Sequence, residues 1–223
     1  MHAYRSILFD LDGTITRSSP GIIRSLQYGL AGVGIEEPDP DRLMRFIGPP
    51  LNVELAAVYH LSPSAIETVL TRFRVRYETT GMYECSLYPN MARLLRQCVA
   101  SGFCLAVASS KPDPHVKALL RYFGIDSCFT VTTGSSIEEE LDNRTKADNK
   151  CLIIAQTLSR LGPAALPAIM VGDTKYDITG ARQNGLDSIA VTYGYGPLSD
   201  LEEARPTYMA DTPQALEDLL LSL

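Results

Sequence analysis

Short apolar runs alternate with helical periodicities along most of this chain. Ile7, Leu8 and Phe9 form an apolar run of strand length, which ends in Asp10-Leu11-Asp12-Gly13-Thr14. The pattern then changes. Ile22, Ile23, Leu26 and Leu30 recur at helical spacing, and Gly32 and Gly34 close that run. A second short helix is predicted over 39–46, ended by Gly48-Pro49-Pro50, and a third over LNVELAAVY. Ser62-Pro63 is an N-cap and first-turn pair; the helix it opens carries Ile66, Val69, Leu70, Phe73 and Tyr77 on one face. Residues 16–84 are therefore predicted all-helical, without a strand.

Everything after residue 84 alternates. Helices are predicted from Pro89 to Gly102, over PHVKALLRYFG, from near Thr145 through Leu158, over 174–184 and from Pro213. Strands are predicted over 103–109, 128–133, 167–172, 186–192 and near 207–210, with 134–144 a polar acidic loop and YGYGP a turn-rich loop. Such alternation gives a parallel sheet covered by helices on both faces. The expected fold class is α/β: a Rossmann-like parallel sheet built from 1–15 and 85–223, with an inserted helical domain over 16–84. Chemistry in such a fold belongs beyond the carboxyl ends of the strands.

Composition narrows the function classes. Hydrophobic residues make up 45% and charged residues 21%, enough for a core without disulfides or structural metal. A net charge of −6 with no basic block is a poor match to a nucleic-acid binder. The cysteines at 85, 98, 104, 128 and 151 are scattered, with no CxxC pair, so reduced thiols in a cytoplasm are expected. MHAYRS leaves no room for a signal peptide before the first strand. No apolar run approaches the roughly 20 residues of a membrane span. The oligomeric state is not legible.

The strand ends carry the candidate chemistry. Asp10 and Asp12 are costly together at the end of a buried strand unless a cation sits between them, and Mg2+ is the hard ion that suits carboxylates and a substrate phosphate. The plain alternative is a turn punctuated by Asp-Gly. Ser109-Ser110-Lys111 follows the 103–109 strand; a hydroxyl there can donate to phosphate or be an ordinary loop serine. Asp173 ends the 167–172 strand, and Asp177 either faces the same way or serves the helix dipole. Lys146 lies in the first turn of its helix, the less favoured end for a cation, and is either functional or a solvated surface lysine.

Taken together, DxDGT, a strand ending in Ser, an isolated Lys and GDxxxD followed by Gly180-Ala181 resemble the four motifs of the haloacid dehalogenase superfamily, in order and over nearly the whole chain. The helical insert lies where that family's C1-type cap lies. The resemblance implies a role for each position. Asp10 would be the nucleophile that forms an aspartyl-phosphate, and Asp12 the general acid and then base. Ser109 and Lys146 would hold the phosphoryl group. Asp10, Asp173 and the Asp12 main-chain carbonyl would hold Mg2+, with Asp177 orienting Lys146 or a metal-bound water. Thr14, Ser110, Lys111 and Arg45 would lie at the substrate. Lys111 also follows a strand end and competes with Lys146; LDNRTKADNK resembles the RxxKA-type stretch of phosphoglycolate-phosphatase-like members and favours Lys146.

Within the family, Asp12 argues against dehalogenases, and the absence of lysine from 16–84 argues against phosphonoacetaldehyde hydrolase, which uses a cap lysine. The absence of membrane spans argues against P-type ATPases. FIGPPL at 46–51 resembles the cap specificity loop of phosphoglycolate phosphatases, or is a plain helix break. Arg24, Arg42 and Arg45 are candidates for a second phosphate or a carboxylate, or are solvated helix charges. The expectation is a Mg2+-dependent phosphatase of a small phosphorylated metabolite, phosphoglycolate first. The alternatives are a nucleoside 5'-monophosphatase, a β-phosphoglucomutase-like mutase, or a non-catalytic regulatory protein on the same fold.

Overall fold

The computed structural model describes residues 3–47, 51–136 and 146–223, the side chains of 146–148 excepted. The chain divides into two compact units, Met1–Thr16 with Leu87–Leu223, and Arg17–Ser86.

The first unit is a parallel sheet between helices. Its strands are β1 (Ser6–Phe9), β4 (Cys104–Pro112), β5 (Phe129–Ser135), β6 (Ala168–Gly172), β7 (Asp187–Val191) and β8 (Tyr208–Ala210), in the order β5-β4-β1-β6-β7-β8. The chain starts in the centre, builds outward through β4 and β5, then returns to the other side of β1 for β6, β7 and β8. Central β1 is buried at every position. Burying Ile7, Leu8 and Phe9 contributes roughly 1.5–3 kcal/mol each before chain entropy is counted.

Alternation along the strands sorts the core into two faces. Leu8, Ala106 and Met170 share one face, where Ile153 and Ile154 of α7 (Lys146–Leu161) and Ala181 of α8 (Lys175–Gln183) pack on them. Ile7, Phe9, Val107 and Val171 line the other and are equally buried. Right-handed crossovers place α5 (Met91–Ala100) and α6 (Asp113–Tyr122) on that second face. The remaining helices of this unit are α9 (Leu198–Ala204) and α10 (Pro213–Ser222).

Strand register positions the chemistry. Phe9 aligns with Val107 of β4 and with Val171 of β6. The next polar positions along these strands, Asp10, Ser109 and Asp173, therefore fall side by side at the carboxyl edge, at the centre of the sheet where the connections reverse direction.

The second unit is helical: α1 (Ser19–Ala31), α2 (Pro40–Met44), α3 (Leu51–Tyr59) and α4 (Pro63–Thr79). Ile23, Leu26, Leu30, Leu43, Phe46, Leu55 and Val69 form its core. Ser62 caps α4 by accepting from the Ala65 amide, as its sequence signature predicts. Gly29 lets α1 approach α4, where a Cβ would meet the Val69 carbonyl at 2.7 Å.

Three local features differ from the sequence expectation. β2 (Thr16–Arg17) and β3 (Ser86–Leu87), where the chain passes between the units, form a two-stranded ribbon too short to show periodicity. β4 runs three residues beyond 109, past a break in its pairing with β5. Helix α9 follows the turn-rich YGYGP stretch directly and was hidden by it. The 48–50 part of the FIGPPL loop and most of the acidic 134–144 stretch lie outside the described residues. Among the described residues, no helix is long and apolar enough to cross a membrane.

Candidate active site

Asp10 leaves β1 with its amide bonded to the Val171 carbonyl of β6 at 2.9 Å, so the strand pairing continues to the residue that carries the carboxylate. The side chain is buried. Its Oδ1 lies 2.8 Å from Nζ of Lys150, and that ammonium lies 2.7 Å from Asp177 Oδ1. Neither oxygen has a further hydrogen-bond donor among the described residues.

Lys150 is the residue that the sequence reading missed. The side chain of Lys146 lies outside the described residues; among the described residues, Lys150, one turn further along α7, is placed at Asp10 and Asp177. A signal for it existed. Lys150, Ile153, Ile154 and Thr157 are all buried at i, i+3, i+4 and i+7, so a lysine occupies the core-facing stripe of α7. A lysine there needs buried anionic partners.

Asp177 uses its two oxygens differently. Oδ2 accepts from the Thr174 amide at 3.0 Å and the Thr174 hydroxyl at 2.7 Å, which ties the start of α8, while Oδ1 meets Lys150. The helix-dipole explanation and the functional one thus apply to the same side chain. Gly172 makes room for it: a Cβ there would sit 2.2 Å from Asp177 Cγ.

Asp173 is fully buried. Its Oδ2 accepts from the Tyr195 amide at 2.8 Å, and its Oδ1 from the Thr14 hydroxyl at 3.2 Å. Thr14, expected at the substrate, is itself buried and turned to Asp173 instead. Gly13, at φ +85°, supports the tight turn of the DxDGT stretch; a Cβ on it would collide with the Asp173 carboxylate.

Asp12 points elsewhere. Its Oδ2 meets Lys111 Nζ at 2.6 Å, and its Oδ1 accepts from Thr16 Oγ1 at 3.3 Å. Of the two lysines that competed in the sequence, Lys111 lies on Asp12, while Lys150, outside that pair, lies on Asp10. Ser109 is buried beside them and accepts from the Lys111 amide at 3.3 Å. The Ser110 carbonyl accepts from Ser135 Oγ at 2.8 Å.

Arg45, by contrast, is bound to Glu54 at 3.2 Å within the helical unit. Arg42 pairs with Glu37 at 3.0 Å. Arg24 shares Glu84 with Arg76, at 3.1 and 2.9 Å, and the Arg76 guanidinium holds the Glu84 carboxyl below its usual range. Each of these three arginines is thus paired with a carboxylate within the helical unit.

The electrostatics fit a divalent cation. Asp10, Asp173 and Asp177 each bring a carboxylate oxygen within 4.8 Å of the others. Among the described residues, the Lys150 ammonium stands against two of these three carboxylates, Asp10 and Asp177. Burial pushes the Asp173 carboxyl well above its usual range, and the charges of Asp10 and Asp177 push it further. Burial also raises Asp10, against the pull of Lys150. Burial alone pulls the Lys150 ammonium down, but Asp10 and Asp177 overcome this and hold it above the usual lysine value. An all-oxygen donor set carrying excess negative charge suits a hard ion. Lys150 and Thr174 hold the two oxygens of Asp177, as Thr14 and Tyr195 hold those of Asp173.

Residues 7–191 match the haloacid dehalogenase-like hydrolase family. A 5'-nucleotidase of Pseudomonas aeruginosa is 36% identical over 98% of this chain and 96% of its own. The tyrosine-protein kinase PtkA of Mycobacterium tuberculosis is 34% identical, over 90% of this chain and 66% of its own. A phosphoglycolate phosphatase of Colwellia psychrerythraea is 30% identical over 97% and 96%. The crystal structure of a phosphatase from Clostridium difficile, described as putative, superposes with a TM-score of 0.88 at 36% identity, covering 99% of this chain and all of the other. The chain belongs to the haloacid dehalogenase-like hydrolases. It is a phosphatase of that family, with the α/β core and helical insert that its motifs led us to expect.

Proposed function

We propose that the protein is a Mg2+-dependent phosphomonoesterase that works through an aspartyl-phosphate on Asp10. The observation that carries this is the buried Asp10 carboxylate at the end of β1, paired with Lys150 and close to Asp173. Asp10 attacks the phosphorus of a small phosphate ester while Asp12 gives a proton to the departing alcohol oxygen. Asp12 then takes a proton from the water that cleaves the aspartyl-phosphate, returning Asp10. A carboxylate nucleophile divides one difficult displacement into two easier ones.

Phosphoryl transfer depends chiefly on alignment and on positive charge around the equatorial oxygens. Lys150 balances Asp10 and the incoming phosphoryl group; Lys111 and Ser109 hold its oxygens, and Lys111 exchanges Asp12 for phosphate when substrate enters. Asp10, Asp173 and the Asp12 main-chain carbonyl are the residues that would hold Mg2+. Bound there, the ion would supply further charge neutralisation to the phosphoryl oxygens.

The relatives named above narrow the esters to test. The 5'-nucleotidase has the higher identity of the two phosphatases, so nucleoside 5'-monophosphates are tested alongside phosphoglycolate. The test is phosphate release from nucleoside monophosphates, phosphoglycolate, hexose phosphates and pyrophosphate, with Mg2+ and then with a chelator. Mg2+-dependent release from one ester class supports the proposal. Release that persists undiminished in chelator, or folded protein inert on every ester, contradicts it.

A further inference from the structure

The loop after β7, Thr192–Pro197, makes contacts with the acid site that the reaction outlined above does not use. Its Tyr195 amide holds one oxygen of Asp173, and Thr14 holds the other. Thr14 is in turn held by the same loop: Tyr193 OH donates to the Thr14 carbonyl at 3.1 Å. Asp173, Thr14, Tyr193 and Tyr195 thus form a closed circuit joining the end of β6, the DxDGT turn and this loop. The circuit has no slack at its glycines. A Cβ on Gly194 would lie 2.2 Å from Asp173 Cβ, and one on Gly196 2.0 Å from the Asp173 carbonyl oxygen. Tyr193 is anchored from outside: Tyr88 OH donates to its carbonyl at 3.2 Å, and the two rings meet at 4.6 Å.

We propose that Tyr193 is a positioning residue: by holding the Thr14 carbonyl it fixes the spacing between Asp173 and the Asp10–Asp12 turn, and so tunes how tightly the site holds a divalent cation. A carboxylate with both oxygens directed by neighbours is pre-organised, and a turn tied to it through Thr14 and Tyr193 keeps its position without having to be ordered on binding. Burial, with Tyr88 and Asp173 nearby, pushes the Tyr193 hydroxyl far up, so it remains a donor across the working pH range.

The inference rests on the metal-dependent phosphatase reading, and the test separates the two. Mg2+ affinity is measured directly by calorimetry and by the Mg2+-dependent rise in Tm, on wild type, Tyr193→Phe and Tyr4→Phe. Tyr4 is the control: its buried hydroxyl donates to Asp187 at 2.8 Å, away from the acids. Tyr193→Phe is expected to weaken Mg2+ binding about fivefold, the equivalent of one hydrogen bond. Its kcat at saturating Mg2+ should stay within about twofold of wild type, because the hydroxyl touches neither substrate nor reacting atoms. Tyr4→Phe should lower Tm and leave Mg2+ affinity unchanged. Should Tyr193→Phe fail to fold, Gly194→Ala tests the same circuit, since its Cβ displaces Asp173 and must also weaken Mg2+. Wild type that binds no Mg2+ overturns the underlying reading. Wild type that binds Mg2+, with Tyr193→Phe binding it equally well, overturns the role of Tyr193 alone; if that variant does not fold, Gly194→Ala binding equally well does so.

Discussion

Lys150 Nζ lies 2.8 Å from Asp10 Oδ1, with both side chains buried. This contact puts a cation against the candidate nucleophile from α7, far along the chain from β1. Removing one partner of a buried ion pair leaves the other charge uncompensated, at a cost of about 3–5 kcal/mol.

Lys150→Met should therefore lose stability and activity together, with kcat/KM down by about a thousandfold or more, as when a positioned charge is removed from phosphoryl transfer. Lys146→Met should stay within about threefold of wild type if Lys150 supplies the charge at Asp10. Steady-state kinetics and a thermal melt on the two variants check this.

Lys111 and Asp12 are 2.6 Å apart. If Lys111 transfers to the phosphate when substrate enters, Lys111→Met should raise KM by about tenfold or more, the worth of a charge-assisted hydrogen bond. Inorganic phosphate, tested as a competitive inhibitor, should weaken in parallel. A variant with unchanged KM and inhibition by phosphate would remove Lys111 from the substrate site.

The raised carboxyl of Asp173 predicts a stability that depends on pH, and on Mg2+ if the ion binds there. A folded-state value above the roughly 3.9 of free aspartate gives stability that is fully present below that value and is lost as pH rises through the folded value. Metal-free protein should thus carry a stability cost at neutral pH that is absent in acid. Mg2+ binds the ionised form, so its Tm increment should be larger at about pH 8 than at about pH 5. Asp173→Asn should raise the Tm of metal-free protein at the higher pH and abolish the Mg2+ increment. Melts with Mg2+ and with chelator at both pH values measure this.

How far the sequence reached follows from what each element buries. The two-faced burial of β1, β4 and β6 appears as the apolar runs of 7–9, 103–108 and 168–171, so the sheet and its acidic carboxyl edge were legible. Asp10 and Asp173, which the structure brings together, were legible as candidates because acids directly after such runs conflict with burial. Lys150 was not, because attention fell on a lysine at a helix start rather than on a lysine within an apolar stripe. The hold on Asp173 was also invisible, since the Tyr195 donor is a backbone amide and carries no residue-specific signature. The short strands β2 and β3 lack the length over which alternation can be read.

The central claim is that Asp10 carries the phosphoryl group. Rapid acid quench of wild type turning over a labelled phosphate ester with Mg2+, followed by mass spectrometry of the peptide spanning residues 6–17, tests it most directly. Phosphate should be found on Asp10 in wild type, and Asp10→Asn should fold, bind Mg2+ more weakly and carry no label. Label on Asp12 or Asp173, or sustained turnover in Asp10→Asn, would contradict the account.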